Sequence, residues 1–148
     1  AFDILRENGR KVAIVSTEGD SISKIFLERD LDYFIYRTKE ECNRKALELI
    51  DEDRYDLLVL YNGDYDWAMH RVSPEGKRSL KALGENVERY RGLKKAREER
   101  WKGHRTALAF APDHGCHRAY GILGSHGKEI PMDMNIRHFW SIIGERDA

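Results

Sequence analysis

The feature that most constrains the fold of this chain is the alternation of short apolar runs with helical patterns. The apolar runs that predict buried strands cover residues 11–16, 33–36, 57–60 and 106–110. Strands that alternate with helices usually pair in parallel, and the helices then cover the sheet. The pattern therefore predicts an α/β fold with a mainly parallel sheet and helices on both faces. We expect residues 1–148 to form a single domain.

The segments between these runs carry the signals of helices. Thr38 and Glu41 stand three residues apart, which is the spacing of a capping box at a helix start. The longest helical pattern follows Pro74, where apolar residues recur at intervals of three and four: Leu80, Leu83, Val87, Tyr90 and Leu93. We also predict a closing helix over residues 136–143.

The composition is that of a globular protein and limits the partners to expect. Lys and Arg together number 26, as do Asp and Glu, so the net charge is zero and we expect no basic field for nucleic acid. No apolar run reaches the ~20 residues that a membrane span needs. Cys42 and Cys116 match no disulfide framework, which predicts a reducing compartment, by default the cytoplasm.

Residues that bind metals follow two of the predicted strands. Asp66 and His70 come after the run 57–60, and their spacing of four places both on one side of a helical turn. Asp113 and His114 come directly after the run 106–110, and His126 follows between two glycines. Because ligands bind beyond the carboxyl ends of parallel strands, adjacent strands would bring these loops together.

Each of these elements alone has an ordinary explanation. An Asp-x-x-x-His spacing often occurs by chance, and the tripeptide from Asp113 to Gly115 is also typical of a turn. The two clusters and His126, in this order and at the ends of strands, favour a metal site. A mixture of carboxylate and imidazole ligands suits zinc first and manganese second.

The ordered set resembles the alkaline phosphatase superfamily, most closely its type I phosphodiesterase/nucleotide pyrophosphatase-like branch. Members share an Asp-x-x-x-His element, then a strand that ends in Asp-His-Gly, then a later His shortly before a Pro. This chain has Asp66 and His70, then 113–115, then His126 and Pro131. The resemblance covers residues 10–140 and implies an alkaline phosphatase-like three-layer sandwich, of which this chain would be the C-terminal part.

The resemblance implies a metal-dependent phosphoric ester hydrolase that uses two divalent ions on a small phosphate-ester substrate. Asp66, His70 and His126 would hold one ion, while Asp113 and His114 would supply half of the second site. The remaining ligands and the nucleophile would lie upstream of Ala1 or on a partner chain, so we expect this chain alone to be inactive. A phosphomutase of the same superfamily and a noncatalytic metal-binding fragment are the alternatives.

Other reactive side chains have weaker claims. Ser16 and Thr17 follow a strand, but the resemblance places them in a later strand–helix unit than the nucleophile, so we interpret them as structural. His117 is expected in a supporting or surface role, and Cys116 in the core. Arg71 has two interpretations, a contact with a phosphate oxygen or a surface salt bridge.

Overall fold

The computed structural model describes residues 1–119 and 121–144, which form a mixed α/β protein. The chain divides into two compact units, the first of which is Ala1–Asn62, and the second begins at Gly63. No helix in the described part of the chain has both the length and the apolar character required to cross a membrane. The prediction of one domain stays a prediction.

The first unit is built on a small parallel sheet. Its strands are β1 (Val12–Thr17), β2 (Asp32–Tyr36) and β3 (Leu57–Leu60), and they lie in the order β2-β1-β3. All six residues of the central strand β1 are buried, which explains its uninterrupted apolar run. The helices are α1 (Phe2–Glu7), α2 (Ile22–Ile25) and α3 (Lys39–Glu52). The predicted strands and the parallel pairing are thus confirmed for this unit.

Helix α3 begins at the predicted capping box. The Oγ1 atom of Thr38 accepts a hydrogen bond from the Glu41 amide at 3.2 Å, and the Glu41 carboxylate accepts one from the Thr38 amide at 3.0 Å. Two orphan amides at the helix start are satisfied in this way. The buried face of α3 packs on β1 and forms the core of the unit with these residues: Ala13, Val15, Cys42 and Leu49.

Ser16 and Thr17 at the end of β1 are buried, and their interpretation as structural stays a prediction. Ser16 is 1% exposed and Thr17 is 8% exposed. The Thr17 hydroxyl donates to a carboxylate oxygen of Asp20 at 2.7 Å, and the Lys39 ammonium donates to the same oxygen at 2.7 Å. This part-buried polar cluster fixes the turn after β1.

The second unit contains one long helix and two antiparallel strand pairs. Its elements are α4 (Asp64–Met69), α5 (Lys77–Arg100), β4 (Thr106–Phe110), β5 (His117–Ala119), β6 (Leu123–Ser125), α6 (Pro131–Met134) and β7 (Phe139–Ile143). Strand β4 pairs with β7, and β5 pairs with β6 as a hairpin in which His117 faces Ser125. Helix α4 packs against α5 and contacts β6.

The predicted closing helix over residues 136–143 is wrong, because the end of this segment is strand β7. Its aromatic and β-branched residues favour an extended chain. Antiparallel pairing with β4 satisfies its backbone, and the buried guanidinium of Arg97 donates to the Ser141 carbonyl oxygen at 2.7 Å and to its hydroxyl at 2.9 Å. Tertiary contacts therefore override the helical spacing.

Candidate metal centre

The centre of the candidate site is one carboxylate oxygen surrounded by imidazole nitrogens. The Oδ1 atom of Asp66 on α4 is buried and accepts no hydrogen bond from any described residue. The Nε2 atoms of His126, His70 and His114 lie 3.3, 3.4 and 4.0 Å from it. The Asp66 side chain as a whole is 40% exposed, but this oxygen is covered, and a covered carboxylate oxygen without a donor marks a candidate position for a cation.

Backbone carbonyls orient two of the three histidines. The Nδ1 atom of His70 lies 3.1 Å from the carbonyl oxygen of Gly124, and the Nδ1 atom of His114 lies 2.8 Å from that of Gly115. A carbonyl oxygen can only accept, so in both rings Nδ1 is the donor. This leaves the Nε2 lone pair free towards Asp66, which is the arrangement that metal-binding histidines use.

His126 reaches the site from the end of the β5–β6 hairpin. Strand β6 ends one residue before it, and Gly127, with a φ of 91°, turns the chain directly after it. The His126 ring stacks on the His114 ring at 3.8 Å between centroids and lies 5.0 Å from the His70 ring. A strand end, a glycine turn and ring packing therefore fix the position of this histidine.

The geometry fits a divalent ion better than a set of hydrogen bonds. Ligand atoms of Asp66, His70 and His126 all lie within 4.8 Å of one another. Distances of 3.3 and 3.4 Å exceed the ~2.7–2.9 Å of a charge-assisted hydrogen bond. They agree with the ~3.3–3.4 Å that separates ligand atoms around a tetrahedral ion whose bonds are ~2.0–2.1 Å long.

The other two predicted ligands lie differently. His114 is between the two predicted sets, because its Nε2 atom is 4.0 Å from the Asp66 carboxylate and 3.8 Å from that of Asp113. The Asp113 side chain is 63% exposed, and within residues 1–119 and 121–144 the one imidazole or cationic side chain that it approaches is His114. The structure thus brings together three of the five predicted ligands, with His114 beside them and Asp113 at the margin.

The route by which these loops meet differs from the one predicted. Strand β3 pairs with β1 in the first unit, and β4 pairs with β7 in the second. Pairing of β3 with β4, which the sequence predicted, therefore does not position the ligands. Helix α4 supplies two ligands, and the β5–β6 hairpin brings the third back to that helix.

Glycines at the site permit close backbone approach. A Cβ atom at Gly115 would overlap the carbonyl oxygen of Met132 on α6, and one at Gly124 would overlap Met69 on α4. The Gly115 amide also donates to the carbonyl oxygen of Asp133 at 2.8 Å. The glycine of the Asp-His-Gly sequence thus serves packing as well as a turn.

We expect Gly115→Ala to lower the free energy of unfolding by about 1–3 kcal/mol, because the added methyl group forces the backbone of α6 to move. Urea unfolding followed by circular dichroism measures this. Gly84→Ala is the matched control, since Gly84 lies within α5 with open space around it and should stabilise the helix by up to about 1 kcal/mol. Equal stability of wild type and Gly115→Ala would contradict the close approach.

Two residues beside the site, His117 and Asp133, form a buried pair. His117 is buried, which excludes the predicted surface alternative, and its Nδ1 atom lies 2.8 Å from the carboxylate of Asp133. Asp133 was missed in the sequence. The signal that could have found it is its position in the first turn of α6, after Pro131, where acidic residues are favoured.

Cys116 is not in the core as predicted, and for Arg71 the contact with a phosphate oxygen stays a prediction. Cys116 is half-buried, and its Sγ atom lies 3.4 Å from the Tyr65 hydroxyl. Burial, and then the Cys116 thiol, raise the pKa of Tyr65, which keeps the phenol neutral. The Arg71 guanidinium stacks on Trp67 at 3.6 Å and donates to the Trp67 carbonyl oxygen. No carboxylate among the described residues pairs with it, so the salt-bridge alternative is not observed.

The sequence matches no known family model and none of the curated proteins.

Proposed function

We propose that this chain carries the metal centre of a metal-dependent phosphoric ester hydrolase, most similar to the phosphodiesterase branch of the alkaline phosphatase superfamily. The observation that supports it best is the buried Asp66 oxygen with the Nε2 atoms of His126 and His70 at 3.3 and 3.4 Å. The same three residues are those that the resemblance assigns to one ion of a two-metal site.

Within this proposal, Asp66, His70 and His126 hold one divalent ion, and Asp113 and His114 contribute to a second. Carboxylate and imidazole donors suit zinc first and manganese second. Three protein ligands are typical of catalytic zinc, whereas structural zinc takes four. When bound, such ions polarise phosphoryl oxygens and lower the pKa of an attacking hydroxyl.

The chain's own residues would hold this centre ready for its ions. Gly124 and Gly115 fix the two imidazoles through carbonyl oxygens, so the Nε2 lone pairs of His70 and His114 are aimed before an ion arrives. Preorganised ligands lose little freedom on binding, which favours affinity.

The nucleophile in this proposal comes from residues outside the 148. Of the two hydroxyls considered in the sequence, Ser16 is almost fully buried. Thr17 is held by hydrogen bonds with Asp20 and Lys39. Neither hydroxyl is presented for attack on a substrate. A further segment of the same protein or a partner chain would supply the nucleophile and the missing ligands of the second ion.

For the fold, we propose the three-layer sandwich that the same resemblance implies. The parallel sheet β2-β1-β3, whose central strand is buried, would be part of a larger three-layer sandwich with a mainly parallel sheet. The described cysteines, Cys42 and Cys116, are free thiols, which supports a reducing compartment such as the cytoplasm.

Hydrolysis of p-nitrophenyl phosphate and bis-p-nitrophenyl phosphate, with zinc or manganese, tests the function. It is measured for this chain and for the chain extended upstream in its reading frame. Activity in the extended protein alone, lost on Asp113→Ala, supports the proposal. Turnover by the short chain that is lost on Thr17→Ala would place the nucleophile within these residues and contradict it. Zinc binding without turnover by either protein would favour the noncatalytic alternative, and phosphoryl transfer within a sugar phosphate would favour the phosphomutase.

A further inference from the structure

We propose that Asp133 and His117 form a positioning pair that holds the two loops carrying His114 and His126 in the geometry of the metal centre. This inference rests on the proposed function, because it assigns the pair a role in binding the ion. It concerns neither a ligand nor a catalytic group.

Asp133 connects the two loops through three hydrogen bonds. One carboxylate oxygen accepts from the Lys128 amide at 2.8 Å, two residues after His126, and the other lies 2.8 Å from the Nδ1 atom of His117. Its backbone carbonyl oxygen accepts from the Gly115 amide at 2.8 Å, one residue after His114. Asp133 is therefore hydrogen-bonded to backbone amides close to both His114 and His126.

The hairpin gives the pair its effect on His126. His117 begins β5 and faces Ser125 at the end of β6, and Ser125 directly precedes His126. The bond between His117 and Asp133 thus joins one strand of the hairpin to α6. The amide of Lys128 joins the other end of the hairpin to the same carboxylate, so His126 lies in a segment held on both sides.

Burial of two polar side chains costs free energy unless they are hydrogen-bonded, as this pair is. The side chains of His117 and Asp133 are 7% and 1% exposed. Burial alone raises the pKa of Asp133, but the hydrogen bonds from the Lys128 amide and from His117 lower it below its ordinary value. The carboxylate therefore stays ionised at neutral pH, and an ionised acceptor forms the stronger hydrogen bonds.

A ligand role for His117 is less well supported. Its Nε2 atom is buried and has no hydrogen-bond partner among the described residues, which leaves a free lone pair. An ion needs further donors, and in residues 1–119 and 121–144 the one group of three within ligand reach is Asp66, His70 and His126. The pair acts on the centre through the backbone.

The test compares Asp133→Asn with the wild-type chain in zinc and cobalt titrations. Asparagine keeps the size of the side chain but loses the charge and one acceptor. We expect zinc to bind about 10-fold more weakly, the lower end of the effect of supporting residues around metals. We also expect a changed visible spectrum of bound cobalt, because displaced histidines alter its ligand field. A merely structural role would not change that spectrum in a protein that remains folded.

Asp20→Asn is the matched control, since Asp20 is a part-buried carboxylate that pairs with Lys39, and it lies in the first unit. The Asp20→Asn variant should have a lower free energy of unfolding than the wild type and keep the wild-type zinc affinity and cobalt spectrum. If Asp133→Asn fails to fold, His117→Asn replaces it, because that change leaves the bond from Lys128 to Asp133 in place. Wild-type affinity and spectrum in the folded variant would overturn the positioning role alone, whereas absence of zinc binding by the wild type would overturn the proposed function and this inference together.

Discussion

Asp66→Ala should bind zinc more than about 100-fold more weakly than the wild-type chain. Residues that merely support a ligand typically change metal affinity by 10- to 100-fold, and Asp66 would be a ligand itself. The Nε2 atoms of His126 and His70 lie 3.3 and 3.4 Å from the Asp66 Oδ1 atom. Competition with a chromophoric zinc chelator measures the change.

The same substitution should leave the metal-free protein folded, because the Asp66 oxygen accepts no hydrogen bond from the described residues. Asp64→Ala on the same helix is the control. Asp64 pairs with Arg89 at 2.9 Å, so its loss should reduce stability without changing zinc affinity. Wild-type zinc affinity in Asp66→Ala, or an equal loss in Asp64→Ala, would show that the cluster is not the binding site.

Local rules predicted the first unit well, and the reason is visible in its elements. The capping box at Thr38 depends on residues three apart, and the fully buried β1 appears as a continuous apolar run. In both cases the signal and the structure lie within one segment. The parallel pairing followed from the strand–helix alternation, which is likewise local.

The second unit shows where such rules stop. Strand β7 was predicted as a helix, because its pairing with β4 and its bonds from Arg97 join residues far apart in sequence. The hairpin β5–β6 was not predicted at all, although it carries His126. Asp133 was missed for the same reason, since its role depends on His117, 16 residues away.

The candidate site was therefore predictable as a set of residues but not as an assembly. Asp66 and His70 lie one helical turn apart, as their spacing predicted. The approach of His126 depends on a hairpin that ends at Ser125, on a turn at Gly127 and on close packing of Gly124 against Met69. None of these contacts leaves a periodic signal in the sequence.

Lowering the pH from 7.5 to 5.0 should weaken zinc binding by more than about 10-fold. Histidine binds a metal only when neutral, so protons compete with zinc for His70 and His126. Because two histidines must both give up a proton before zinc binds, the two competing protonation steps multiply. The protonated state is favoured as pH falls, so affinity decreases in that direction. Zinc titration calorimetry at several pH values measures the slope of the logarithm of zinc affinity against pH.

The slope also decides whether His114 belongs to this ion. Its Nε2 atom is 4.0 Å from the Asp66 oxygen and 3.8 Å from that of Asp113, so the distances alone allow either ion. Two histidine ligands give a limiting slope of about two powers of ten per pH unit at acidic pH, and three give about three. We expect a slope of two that is unchanged in His114→Ala, since the resemblance assigns that histidine to the second ion. A slope that falls from three to two in the variant would instead place His114 on the same ion as Asp66, and equal affinity at pH 5.0 and 7.5 would exclude histidine ligation.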